Sequence, residues 1–374
     1  MKREQKEQIL KDLEKKIVFI VGPRQVGKTW LAKEIAKDFK KPVYLNYDRA
    51  EDRSIIKNES WLTSTDLLIF DELHKMKGWK NYLKGVFDTK PEQMKILVTG
   101  SARLSTFKKS GDSLAGRFFS HTLLPFSPSE LKDTEFSKNI ERFMERGGFP
   151  EPFLAENIND SNRWRLQYID GLIRTDILDF EKVHDLRALE TVLELLRGRV
   201  GSTVSYSSIA NDVGIAPNTV KKYIQIFEAL YIVFRLTPFS KNIARSLMKE
   251  PKIYFYDTGL VNGDNGAKFE NLVAVSLLKH VLAKRELEGI AWDLNYIRTK
   301  DKKEIDFCIV KNGDAKHFIE AKFSDPSVTP AWQLFAKNLK SLPHKLSLIL
   351  KEKEKNQILR LLLLLHFLMR FRLY

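Results

Sequence analysis

Ile17-Val18-Phe19-Ile20-Val21 runs straight into Gly22-Pro23-Arg24-Gln25-Val26-Gly27-Lys28-Thr29, and this junction decides the fold of the first domain. The five-residue apolar run, rich in β-branched side chains, predicts a buried strand, and Trp30 to Phe39 predicts a helix. Strand, glycine-rich loop and helix in that order form a phosphate-binding loop. Gly22 and Gly27 let the chain curl past Pro23 so that successive N–H groups, from Arg24 through Val26 and beyond, surround phosphate oxygens, and the helix adds its positive end. Lys28 would neutralise the β- and γ-phosphates, and Thr29 carries the hydroxyl that a phosphate-bound Mg²⁺ takes as a ligand. The competing reading is a glycine-rich turn ahead of a helix that happens to begin with lysine.

Working outward, Leu67-Leu68-Ile69-Phe70-Asp71-Glu72 is a second apolar strand ending in two carboxylates. Asp71 would hold Mg²⁺ through water, and Glu72 would polarise the attacking water. Lys95 to Ser101 is a third strand that ends in small polar residues, with Ser101 the candidate sensor of the γ-phosphate. Pro42 to Asp48 is strand-like and Trp79 to Phe87 helix-like, which completes the alternation of a doubly wound parallel sheet. Asp71-Glu72-Leu73-His74 also matches a helicase pattern, but no second P-loop-like sheet follows. Arg117, in Leu114-Ala115-Gly116-Arg117, and Arg174 are candidates to reach a phosphate in their own or a neighbouring subunit; surface ion pairing is the alternative.

Gly147-Gly148-Phe149-Pro150 interrupts regular structure and places the end of the core near residue 150, with a helical lid from Trp164 to Glu181. Ser205 to Glu228 reads as helix-turn-helix: Ile209, Ala210 and Val213 make one apolar face, Gly214 the turn, and Val220, Ile224 and Phe227 the next face. Asn218, Thr219, Lys221, Lys222 and Gln225 lie on the outward side of the second helix, types suited to phosphates and base edges. Tyr231 to Pro238 and Ile253 to Tyr256 would pair as the strands of a wing.

Further along, Glu304 to Val310 and His317 to Lys322 flank Asn312-Gly313, the pattern of a β-hairpin. A period of two places Glu320 and Lys322 on one face. If Asp306 shares that face and Glu270 reaches it from a helix, three carboxylates converge on a metal site fit for phosphodiester cleavage, with Lys322 beside them. A hairpin with charges on its wet face is the alternative.

The chain has 374 residues, 43% hydrophobic and 11% aromatic, which excludes wholesale disorder and points to two or three domains. Lys and Arg number 63 against 48 Asp and Glu, a net +15 that makes DNA the first partner to consider. Cys308 is the single cysteine, so no intrachain disulfide framework exists, and a reducing, cytoplasmic setting fits. Met1 to Lys16 lacks the apolar core of a signal peptide and reads as a solvated helix. The leucine-rich end, Ile358 to Met369, is interrupted by Arg360 and His366 and is short of the roughly 20 residues of a membrane span, so a buried helix or an aberrant terminus is expected there.

Together these pieces resemble a family of bacterial and archaeal AAA-like ATPases in which a P-loop core is joined to a winged helix and a restriction-endonuclease-like C-terminal domain. The resemblance rests on Gly22 to Thr29, Leu68 to Lys75, Thr99 to Arg103, Leu114 to Arg117, Gly147 to Pro152, Tyr254 to Leu260, and Glu270 with Asp306, Glu320 and Lys322. It implies a P-loop core over residues 1–150, a lid or linker over 151–188, a winged helix over 189–262 and the nuclease-like α/β domain over 263–374. It also implies ATP binding, Mg²⁺ dependence and association with DNA. Three functions are compatible with these features: an ATPase acting on DNA, a slow nucleotide-dependent switch for a protein partner or a second copy of the chain, and an ATP-gated, metal-dependent nuclease.

Overall fold

A computed structural model describes residues 3–100, 114–137, 139–177, 185–240, 249–298, 303–323 and 348–349. The chain divides into two compact units, residues 1–124 and 125–374.

The first unit is an α/β layer structure around a parallel five-stranded sheet. Its strands are β1 (Ile17–Val21), β2 (Pro42–Asn46), β3 (Leu67–Asp71), β4 (Lys95–Thr99) and β5 (Phe118–Thr122), in the order β2-β3-β4-β1-β5. Strands β1 and β3 are buried at every position because helices cover both faces, which is why they read as unbroken apolar runs. Alternate residues go to opposite sides. Phe19, Leu68, Phe70 and Val98 pack with Leu83 and Val86 of α4 (Trp79–Thr89) and Ile56 of α3 (Ala50–Asn58). The other face meets α1 (Lys6–Leu13) and α2 (Lys28–Ala36). α1 is therefore not merely a solvated helix: Ile9 and Leu13 are buried, and its Asp12 lies 2.8 Å from the buried His121 of β5.

This unit closes at Leu124, short of residue 150, because the following segment is tied into the second unit. Phe126 donates its N–H to Gly148 O at 2.6 Å, and Lys279 bonds the carbonyl of Pro125 at 3.0 Å and the carboxylate of Glu130. α5 (Ile140–Arg146), α6 (Pro150–Leu154) and α7 (Ile158–Gly171) follow, and α7 runs into a π-helical turn, Leu172–Ile177. The expected lid helix is thus a packed element. Its Arg165 donates to Asp257 Oδ2 at 3.1 Å, both side chains being buried. Gly147 has φ +70°, and a Cβ there would lie 1.5 Å from Asp257 Oδ1, so the glycine-rich motif and the Asp257-Thr258-Gly259 motif meet in one close contact.

α8 (Leu186–Arg197), α9 (Tyr206–Val213) and α10 (Pro217–Ala229) precede an antiparallel pair, β6 (Val233–Leu236) with β7 (Lys252–Phe255). The long α11 (Asn265–Glu288) then leads to an antiparallel sheet of β8 (Trp292–Arg298), β9 (Glu304–Lys311) and β10 (Asp314–Ile319), with β9 central. Asn312 and Gly313 take φ of +52° and +80°, the left-handed pair that a two-residue hairpin turn requires. β11 (Ala321–Lys322) pairs in parallel with β12 (Leu348–Ile349). Among the described residues no helix is long and apolar enough to cross a membrane. The leucine-rich C-terminal run lies outside the described residues.

Candidate functional site

The P-loop leaves the C-terminal end of β1 with Gly22 at φ +143° and Gly27 at φ +95°. At Gly22 a side chain is excluded twice over, since its Cβ would also stand 2.1 Å from Leu123 O. From behind, Arg3 donates to Val26 O at 2.5 Å and to Leu124 O at 3.2 Å. A lone arginine ahead of the first helix carries no pattern, so sequence reasoning missed it.

Lys28 is buried at the start of α2 and donates to Gly22 O at 3.1 Å and Pro23 O at 2.5 Å. Burial lowers its pKa to about 8, against the opposing pull of Glu72 and Asp71 and with a small further push from Arg24. Thr29 Oγ1 donates to Asp71 Oδ2 at 3.0 Å. The register of β3 against β4 sets Asp71 beside Thr99, whose hydroxyl donates to Asp71 Oδ1 at 2.5 Å. From β2, Tyr44 OH donates to Asp71 Oδ2 at 2.5 Å. Both Thr99 and Tyr44 were unassigned in the sequence. The candidate Ser101 lies outside the described residues, while Thr99, two positions earlier, is one of three hydroxyl donors to this carboxylate.

Glu72 follows Asp71 in the left-handed region, φ +56°, which turns its side chain away from the strand. Its N–H donates to Thr99 O at 3.0 Å. The carboxylate lies 3.8 Å from Lys75 Nζ and 3.5 Å from His74 Nε2. Burial raises its pKa, Lys75 opposes the rise and Asp71 adds to it. The donor set fits a nucleotide with Mg²⁺: backbone N–H groups and Lys28 for phosphates, Thr29 and Asp71 for the ion.

The two candidate arginines are held in ion pairs. Arg117 precedes β5 at the sheet end opposite the P-loop, its carbonyl accepting from Ile17 N at 3.1 Å, and its guanidinium pairs with Asp88 at 2.9 Å. Within its own subunit it does not reach the phosphate site. Arg174 is exposed and pairs with Asp170 one turn earlier.

In the second unit Glu270 and Asp306 do approach each other, but around a lysine that the sequence reading left out. Lys252 Nζ, 1% exposed, lies 2.6 Å from Glu304 Oε1 and 3.5 Å from both Glu270 Oε1 and Asp306 Oδ1. Burial alone would lower the Lys252 pKa, and the carboxylates of Glu270, Asp306 and Glu304 raise it above the ordinary value instead. Tyr254 OH donates to Glu270 Oε1 at 2.7 Å, and Asp306 Oδ2 accepts from Ala321 N–H at 3.0 Å. Glu320 is buried with Lys322 Nζ 3.6 Å away. Among the described residues no group of three or more Asp, Glu, His or Cys side chains is disposed to hold a metal ion. Two members of the expected carboxylate trio, Glu270 and Asp306, thus stand with Glu304 around an ammonium, which supplies positive charge there itself.

Comparison with known proteins matches three segments of the chain. Residues 14–132 match an AAA domain, residues 137–268 a domain of unknown function (DUF8612), and residues 265–364 another (DUF4143). The matched AAA segment takes in all five strands of the parallel sheet and resembles an AAA-like ATPase domain. An uncharacterized protein of Mycobacterium tuberculosis is 26% identical over 329 residues, 84% of this chain and 72% of that protein. An uncharacterized protein of Methanocaldococcus jannaschii is 25% identical over 350 residues, 83% of this chain and 75% of that one. Among solved structures, a Walker-type ATPase of Pyrococcus abyssi covers 69% of this chain and 94% of its own at 14% identity, with a TM-score of 0.46. The RuvB Holliday junction branch migration motor of Thermotoga maritima covers 63% and 90% at 19% identity, with a TM-score of 0.33. The segment matched to the AAA domain includes the whole constellation from Gly22 to Thr99.

Proposed function

We propose that the chain binds and hydrolyses ATP in its AAA domain and couples that cycle to association with DNA through its second unit. The observation that carries the nucleotide reading is the convergence of Lys28, Thr29 and Asp71 at the C-terminal end of the parallel sheet, with Glu72 next in line. Lys28 and the loop N–H groups would hold the phosphates, Thr29 and Asp71 would hold Mg²⁺, and Glu72 would orient and polarise the attacking water. Mg²⁺ bound there would neutralise charge developing on the phosphates.

For DNA, the support is α8 to α10 followed by the β6–β7 ribbon, the element order of a winged helix. Asn218, Lys221, Lys222 and Gln225 are exposed along α10 and Thr219 is half-buried, so the expected outward face faces solvent. One long helix, three antiparallel strands and a return strand parallel to β11 support the restriction-endonuclease-like reading of residues 263–374. We read its charge centre as structural, because Lys252 occupies the middle of the carboxylates. The test is ATPase turnover with and without duplex and branched DNA. Stimulation by DNA is expected; turnover indifferent to every DNA form would remove DNA from the reading and leave the ATPase.

A further inference from the structure

Asp71 receives three hydroxyl groups, and they are distributed unequally over its two oxygens. Oδ1 accepts from Thr99 at 2.5 Å; Oδ2 accepts from Thr29 at 3.0 Å and from Tyr44 at 2.5 Å. Thr29 and Thr99 belong to the elements that build any such site, the first turn after the loop and the neighbouring strand. Tyr44 comes from β2, the edge strand, outside the phosphate-binding motif. Register explains its reach: Tyr44 pairs with Ile69, so it sits diagonally to Asp71 on the same face of the sheet. Its ring is further fixed by Lys33, one turn beyond Thr29 on α2, with the ammonium 5.3 Å from the ring centroid.

We propose that Tyr44 is a positioning residue for the metal-binding carboxylate, fixing the plane of Asp71 by a hydroxyl bond to Oδ2. The inference rests on the ATPase reading. Thr29 is the hydroxyl of the three that a bound metal would take for itself, so its bond to Asp71 is exchangeable. Tyr44 and Thr99 then remain, one donor to each oxygen, and together they determine which lone pairs face the ion's water shell. A carboxylate with one oxygen left undirected has rotational freedom about its last bond and pre-organises that shell less well.

Tyr44→Phe deletes the hydroxyl while keeping the ring and its contact with Lys33. The Mg²⁺ concentration for half-maximal ATPase should rise about tenfold, the loss that one hydrogen bond to a charged group sets. Turnover at saturating Mg²⁺ should stay within about twofold, since Glu72 and Lys28 are untouched. The binding readout is Mn²⁺ affinity by electron paramagnetic resonance, with a non-hydrolysable ATP analogue present, which should weaken by the same factor. ATP affinity in EDTA should be unchanged. Wild-type metal dependence in both readouts would make Tyr44 a packing residue and overturn the proposal. A wild-type protein that binds neither ATP nor its Mn²⁺ complex would overturn the ATPase reading and this inference with it, a result distinct from a change confined to the variant.

Discussion

Lys28 donates to the carbonyl oxygen of Pro23 at 2.5 Å and so is folded back onto the loop that carries it. Burial holds its pKa to about 8, far below that of a free lysine. Nucleotide binding calls for the ammonium form, so ATP affinity should be level below pH 8. Above it, affinity should fall by up to about tenfold per pH unit until the higher pKa of the bound state is reached. For stability the sign is opposite: the folded chain gives up this proton before the unfolded one, so this group's penalty is full below pH 8 and fades as pH rises toward the unfolded pKa. Calorimetric titration from pH 6.5 to 9.5, values chosen to span roughly that range, reads the first effect. Lys28→Ala should abolish ATP binding at every pH; equal affinity in the folded variant would remove Lys28 from the phosphate site.

Glu72→Gln separates binding from hydrolysis. The amide keeps the shape and its neighbours but accepts no proton, so turnover should fall by about 10²- to 10⁴-fold while ATP affinity is retained. Single-turnover hydrolysis alongside equilibrium binding decides it. Wild-type turnover would move the role to another residue.

On α10, Lys221 and Lys222 are exposed on the face opposite the buried Val220, Ile224 and Phe227. If both meet DNA phosphates, changing both to Ala should reduce the slope of log affinity against log salt by about 0.9 for each. Fluorescence anisotropy over a salt series measures it. An unchanged slope and affinity would make these helices a protein-packing module.

The first unit was legible because its determinants are local. A strand buried on both faces reads as an apolar run, and the loop that follows is written in contiguous residues. What could not be read is what the register brings together: Thr99 and Tyr44 become partners of Asp71 only when β4 and β2 align beside β3. Likewise the hairpin at Asn312-Gly313 was evident from its turn residues, whereas β8, with Asp293 and Asn295 breaking its apolar content, was not. Lys252 was hidden for the same reason. As one residue in a basic chain it carried no signal, and its role comes from β7, α11 and β9 meeting at a distance in sequence.

That meeting point gives the last prediction. Lys252 is the shared counter-ion of Glu270, Glu304 and Asp306, and Gly201 closes over the cluster, its Cβ position 2.7 Å from Glu270 Oε2. Burial, then Asp306, already raises the Glu270 pKa, with Lys252 opposing the rise. Lys252→Met keeps much of the volume and removes the charge, leaving three carboxylates to repel one another in a buried setting, so stability at pH 7 should drop by about 3–5 kcal/mol. Carboxylates whose folded pKa is raised destabilise the fold above their unfolded pKa, so the loss should shrink as pH falls through the Glu270 transition. Denaturant unfolding at pH 5 and pH 7 tests both the size and the sign. A divalent cation offers a sharper check. If the lysine stands in for a cation, millimolar Mn²⁺ should stabilise Lys252→Met by binding the native cluster and leave the wild-type cluster unaffected. A variant as stable as wild type at pH 7, or equal responses to Mn²⁺ in the two proteins, would show that the ammonium is not what holds these carboxylates together.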